Sequence, residues 1–348
     1  MDNKLIYLFG STSRPVYREN NINALCFPQG FIMHYRYDEK WVSKEIISNI
    51  DNLRNYETLI VFVDTTDGDI PHFYPIRKAK IKKIEIDGDF YHFYIELFGE
   101  WVDYRESGKL DKLKEYDPLI KDIEENPTSE NPKFVSIDTL NDEIKLSEDS
   151  PAWTSIIEKI GNKEPFKNVL FYRIDDIYEI DSRESLKITN FGETKAGYTV
   201  KSGKKYNMEL SFNYGKEPPE EALTDRLIAS IDENLCSAIP NELRLGFRAD
   251  RQDIYLNIKE SLQDSMTYLI IKFKEGKVEG PNVTIPIKVT YNRLTIYGLV
   301  ILFLIGTLLT SGLVSSLINV DQFTQNILKI VGSIFSTLVV FSLYKQLK

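Results

Sequence analysis

"RLTIYGLVILFLIGTLLTSGLVSSLINV", residues 293–320, decides how the rest of the chain is read. No charged side chain occurs between Arg293 and Asp321, although 27% of the 348 residues are charged and the net charge is −9. A bilayer core takes about 20 apolar residues as helix, so Leu294 to Val320 is long enough to cross one. After "DQFTQN" a second apolar run, Ile327 to Tyr344, is interrupted only by Lys329. The stem of that lysine can lie along a helix while its ammonium reaches the headgroups. The two runs predict a transmembrane hairpin over 293–348, with helices at 294–320 and 327–344.

Arg293, Lys345 and Lys348 flank the outer ends of the hairpin, and Asp321 sits in its loop. Basic flanks belong on the cytoplasmic side. The opening "MDNKLIYLFGSTSR" is acidic at position 2 and has too short an apolar stretch for a secretory signal. Both termini and the soluble part are therefore expected in the cytoplasm, with the chain a multi-pass protein of the inner (plasma) membrane. Gly312 and Ser316, and Gly332 and Ser336, are small residues one helical turn apart. That spacing lets helix backbones approach closely, within the hairpin and between copies, so a homo-oligomer is expected beside the lipid bilayer as partner.

The rest divides into a mixed α+β part and an all-β part. Residues 1–104 read as a small β-rich domain, a partly closed sheet or barrel with inserted helices. "KLIYLFG" and "TLIVFVD" are apolar strands, and "FIMHYRY" alternates as a half-buried strand does. Trp41 to Leu53 has helical spacing, and a helix is expected to start near Pro15. Asp87-Gly88 joins two long strands as a hairpin. Residues 105–165 read as an acidic linker or helical insertion: Tyr104 to Ser150 holds seven basic against thirteen acidic residues. A helix follows in "SPAWTSIIEKIG", with Ser150 as N-cap and Gly161 at its end. Residues 166–292 carry strands at sandwich-like intervals, with one helix expected over Pro219 to Ile231.

The acidic balance argues against general nucleic-acid binding, which needs a basic face. Cys26 and Cys236 lie in apolar surroundings and read as buried free thiols. His34, His72 and His92 fit no zinc spacing, and no catalytic signature occurs, so no metal, cofactor or catalytic residue is assigned. Asp64, Asp67 and Asp69 read as a turn in preference to a divalent-ion loop. Two groups could hold an anion such as a nucleotide. "FGSTSRPVYREN" offers Arg14, Tyr17 and Arg18 near a helix N-terminus. "RKAKIKK" puts Lys78, Lys80 and Lys82 on one face of a strand, and His34 and Arg36 share a face on theirs. A solvated strand guarded against edge pairing is the plainer account of the lysines.

In domain order, a cytosolic body joined to a two-helix C-terminal anchor without a catalytic signature, the chain resembles bacterial antiphage and abortive-infection membrane effectors. The likeness covers architecture and no residue motif. It implies a sensor-effector that binds a ligand or partner and then permeabilises the membrane as an oligomer. A tether that docks a protein partner, and a membrane-held enzyme of unfamiliar type, are the other two readings.

Overall fold

The structure, a computed structural model, describes residues 4–11, 15–64, 72–107, 133–139, 143–163, 166, 169–214, 226–244, 251–261, 263–273, 282–291, 293–318 and 320–347. It is a strand-rich α+β fold whose sheets include a curled half-barrel, and it ends in apolar helices.

The first sheet is built from β1 (Lys4–Ser11), β2 (Ile32–Asp38), β3 (Glu57–Asp64), β4 (His72–Asp87), β5 (Phe90–Val102), β6 (Val135–Thr139) and the short β7 (Leu146–Ser147). Its strands run in the order β2-β5-β4-β3-β1-β6, with β7 beside β5. β1 and β3 pair in parallel; between β1 and β2 the chain crosses through helix α1 (Pro15–Cys26). β3 is buried along nearly its whole length, as its unbroken apolar run requires. The β4–β5 hairpin turns at Gly88, whose φ of +58° suits a residue without Cβ. The helix expected over Trp41 to Leu53 is broken into a 3₁₀ turn, α2 (Lys44–Asn49) and a second 3₁₀ turn. Ser43 causes the restart: its side chain accepts from the Ile46 amide and fixes α2's first turn there.

Part of the stretch expected as linker is structural. β6 pairs with β1, β7 pairs with β5, and α3 (Ser150–Ile160) buries Ala152, Trp153, Ile156, Ile157 and Ile160. The acidic average over that window hid a short apolar alternation, "FVSI", whereas the helix expected in "SPAWTSIIEKIG" forms. The N-cap of α3 is Asp149, which accepts from the Ala152 amide, one residue earlier than expected.

From Leu170 onward two antiparallel-rich sheets stack. One comprises β8 (Leu170–Glu179), β11 (Lys205–Tyr214), β13 (Cys236–Ile239) and β15 (Arg251–Ile258), in the order β13-β15-β11-β8. The other comprises β9 (Ile188–Asn190), β10 (Ala196–Lys201), β12 (Arg226–Ser230), β14 (Glu242–Arg244), β16 (Ser265–Phe273) and β17 (Val283–Thr290), in the order β14-β12-β16-β17-β10-β9. The Tyr172 hydroxyl of β8 donates to the Ile271 carbonyl of β16 across the buried layer between them. This is the expected sandwich with one correction. The C-terminal half of the helix expected over 219–231 is strand β12, because Leu227 and Ala229 alternate inward against β16; residues 219–225 lie outside the described residues.

The first sheet and the sandwich share one core. α1 and α3 fill the space between them: the Trp153 indole donates to the Leu25 carbonyl, and Arg173 of β8 lies 4.8 Å over the Trp153 ring. Cys26 and Cys236 are buried free thiols; burial raises both, Cys236 to about 12, so neither is a ready nucleophile.

β17 leads into the C-terminal helices within two residues. These are α4 (Arg293–Thr310), α5 (Leu313–Ile318) and α6 (Gln322–Leu347). The first apolar run is thus not one helix to 320 but breaks at Ser311-Gly312, where Gly312 takes φ +77°. The expected loop "DQFTQN" is mostly the first turn of α6, since the Asp321 carboxylate accepts from the Phe323 and Thr324 amides.

Candidate functional site

Two surfaces carry the residues that the sequence singled out. The first is the outer face of β2, β5 and β4. Alternation turns His92, Tyr94, Glu96 and Phe98 of β5 outward, opposite His34 and Arg36 of β2 and the basic run of β4. Register shifts between Arg77 and Ala79 and between Ile81 and Lys83 bend β4 along this run.

Each lysine there is matched. Lys78 lies 3.0 Å from Glu57 and 3.6 Å from Glu100; Lys80 and Lys82 lie 3.7 and 2.8 Å from Glu96; Lys83 lies 2.6 Å from Glu85. The His34 Nε2 and His92 Nδ1 atoms are 2.8 Å apart, and the His34 ring lies 4.9 Å from that of Tyr94. Tyr94 donates to Glu85, and Arg36 covers Phe90 at 4.9 Å. Burial, with His92 and Arg36 nearby, holds His34 below the usual imidazole range. In the contact between the two rings, one nitrogen donates to the other.

The structure brings His34, Arg36, Lys78, Lys80 and Lys82 onto one face, and Tyr17 and Arg18 elsewhere. Tyr17 stacks on Tyr37, whose hydroxyl is buried against the Phe9 carbonyl on the opposite side of β2. Tyr35 and Tyr37 are buried, so neither offers a ring to a ligand on the outer face. Arg14, Asp67 and Asp69 lie outside the described residues; Asp64 is fully buried with Lys163 at 3.4 Å. Among the described residues no group of three or more His, Cys, Asp or Glu side chains converges as a metal site would.

Sequence reasoning missed Arg77. It points inward from the basic run, is 1% exposed, and donates to the carbonyls of Ala24, Phe27 and Phe98 while lying 3.9 Å over Trp101. Two of those carbonyls belong to the C-terminal end of α1, where a cation is favoured. Burial pushes its pKa down to about 9, and among the described residues no carboxylate pairs with it. A gap in strand alternation, visible only once the register shift is known, was the available signal.

The second surface is the C-terminal helices. The Gln322–Phe341 part of α6 is apolar and long enough to cross a membrane; the apolar part of α4, Tyr297–Thr310, is shorter. Apolar side chains on both helices are exposed on nearly every side, Phe323 at 73% and Phe341 at 64% among them. α4 and α6 cross at glycine. A Cβ on Gly306 would lie 2.6 Å from Ser336 Oγ, and one on Gly332 would lie 2.6 Å from the Gly306 carbonyl. Gly332 and Ser336 thus do sit at a helix contact, but their partner is Gly306. Gly312 serves the break, and Ser316 is exposed, donating to the Leu313 carbonyl.

No protein-family model matches the sequence, and no curated protein matches it. Among solved structures, a Bacteroides ovatus GH5 xyloglucanase in complex with a XXXG heptasaccharide aligns at 9% identity with a TM-score of 0.20, over 31% of this chain and 19% of that one. A likeness so slight carries no argument about fold or activity.

Proposed function

We propose that the chain is a membrane-anchored sensor-effector of the inner membrane: α4 and α6 form a hairpin in the bilayer, the β-rich body stays cytoplasmic, and ligand or partner sensing by that body drives oligomeric membrane disruption, as in antiphage defence. The observation that carries it is the C-terminal surface. Helices that belonged to a soluble core would bury their apolar side chains, and these expose them. Burying one such side chain is worth about 1.5–3 kcal/mol, which supports lipid as the covering for the exposed set. The direct passage from β17 into α4 gives the body a mechanical hold on the hairpin. The positive flanks Arg293, Lys345 and Lys348 support a cytoplasmic location for both ends. No catalytic role is assigned to any residue.

The test is induced expression with a membrane-potential dye, comparing the full chain with one ended after Tyr291, each with and without phage challenge. Depolarisation that needs both challenge and hairpin supports the effector reading; depolarisation without the hairpin sinks it. A second reading, a tether that docks a protein, is favoured by one feature. Met266, Tyr268 and Ile270 form an exposed apolar row on the outer face of β16. A copurifying protein lost on Tyr268→Lys, with no depolarisation under challenge, would put the tether in place of the effector.

A further inference from the structure

Hydroxyl groups on the two long C-terminal helices behave differently. At the end of α4 three described hydroxyls fold back onto the helix: Thr307 donates to Leu304, Thr310 to Gly306 and, just past its last residue, Ser311 to Leu308, at 2.8, 2.5 and 2.9 Å. On α6, Ser333 and Thr337 are exposed, and among the described residues their hydroxyls make no hydrogen bond and Lys329 makes no ion pair. Lys329, Ser333 and Thr337 follow one another at one-turn spacing and line, with Ile330, Ile334 and Leu338, a groove of about 450 Å³. This flank is not the one that meets α4, which carries Gly332 and Ser336.

In water such a stripe would need no comment. In hydrocarbon an open hydroxyl and a lone ammonium are unfavourable, and such groups turn to the interior of a helix assembly or to water. Resting on the membrane reading above, we propose that the Lys329–Ser333–Thr337 flank of α6 faces a second copy of this chain across a hydrated seam. A second copy inserted with the same orientation offers the same three groups at the same depth. Ser333 and Thr337 are each both donor and acceptor, so the flank is complementary to itself. Lys329 is not: two ammonium groups at one depth repel unless water or an anion separates them. The seam is therefore open to water at the Lys329 level and closes toward Thr337. This assigns contact between copies to a face other than the glycine crossing, which is consumed within the hairpin.

The test is oxidative cross-linking of full-length chains in isolated membranes, with single cysteines at Ser333→Cys, Thr337→Cys and Val331→Cys. The native Cys26 and Cys236 are buried and do not compete. Val331 is two residues from Ser333, hence on the other side of the helix. Disulfide-linked dimer several-fold higher at positions 333 and 337 than at 331 is expected. Equal yields at all three, as random collision gives, would overturn the seam, as would no dimer at 333 or 337 in chains that resist carbonate extraction. A chain that carbonate does extract would instead refute the membrane reading itself, so the two failures are distinguishable.

Discussion

Lys78, Lys80, Lys82 and Lys83 on the first sheet each meet a carboxylate, whereas Lys329 on α6 meets none. The first four sit on a surface that water already satisfies, and their pairs are worth roughly 0.2–1 kcal/mol apiece. Lys329 sits among side chains that water does not tolerate. The two regions show why charge on its own is a poor pointer to function. A dense basic run can be internally balanced, and a single cation can be the unanswered one. The outer sheet face loses weight as an anion site, because a ligand there must first displace Glu57, Glu96 or Glu100. The C-terminal helices gain weight, because their exposed apolar area exceeds anything the surface ion pairs could offset.

Ending the chain after Tyr291 breaks the comparison most directly, and its effect should be the largest. The core of the body is complete without the helices. We expect the shortened chain to move from the membrane pellet to the soluble fraction with its β-sheet circular dichroism intact. A full-length chain found in the soluble fraction would remove the contrast altogether.

Next in size is a change one residue away from the balanced lysines. Arg77→Met takes a buried cation from three carbonyls, and leaving a buried acceptor unsatisfied costs about 1–3 kcal/mol for each group. Lys78→Met removes a half-buried lysine from two carboxylates that are themselves partly exposed, for which about 1 kcal/mol is expected. Urea denaturation of the soluble body should separate the neighbours clearly. Similar losses at both would mean that Arg77 is not the buried clamp described above.

On the helices, Gly332→Leu drives a side chain into the Gly306 carbonyl and Leu309, and overpacking of this kind costs about 1–3 kcal/mol. Gly306→Leu should match it. Gly312→Ala should leave the crossing intact and act only through its left-handed backbone, at about 1 kcal/mol. Resonance energy transfer between labels on α4 and α6 in detergent would rank the three. A larger loss of transfer from Gly312→Ala than from Gly332→Leu would restore position 312 as the contact.

The sequence displayed most strands of both sheets, since alternation in "FIMHYRY" or "YNMELSFNY" is a local property of a one-sided surface. It did not display β6 or β12. The first lay under an averaged acidic composition, and the second needed β16 as its partner before two inward residues meant anything. Of the candidate residues, His34 and Arg36 share their predicted face, because both follow from one strand. Tyr17 was grouped with Arg14 and Arg18 near the start of α1, and no periodicity links a helix residue to a strand it only packs behind. Spacing picked out Gly332 and Ser336, while Gly306, their partner, requires knowing where α4 ends. Gly312 passed the same spacing test and serves the turn.

The smallest expected effect concerns pH and the outer sheet face. His34 titrates below the usual imidazole value in the folded chain, first because it is partly buried and then because His92 and Arg36 face it; Glu85 opposes these only weakly. The unfolded chain, with an imidazole near 6.5, then binds more protons than the folded one in the window below that value. Stability should therefore rise with pH through this window and level off above about 7. Glu85, held below the usual carboxylate range by Lys83 and Tyr94, does not add a second slope there. His34→Gln keeps a polar side chain on the face but removes the titration. The expected outcome is a shallower dependence of the urea midpoint on pH between about 5.5 and 7 in His34→Gln than in the parent, with the two curves meeting near neutrality. The parent losing stability as pH rises through that window would reverse the sign. His34 would then be held by a carboxylate in its charged form, and the outer face would be the anion-responsive surface that its paired lysines otherwise argue against.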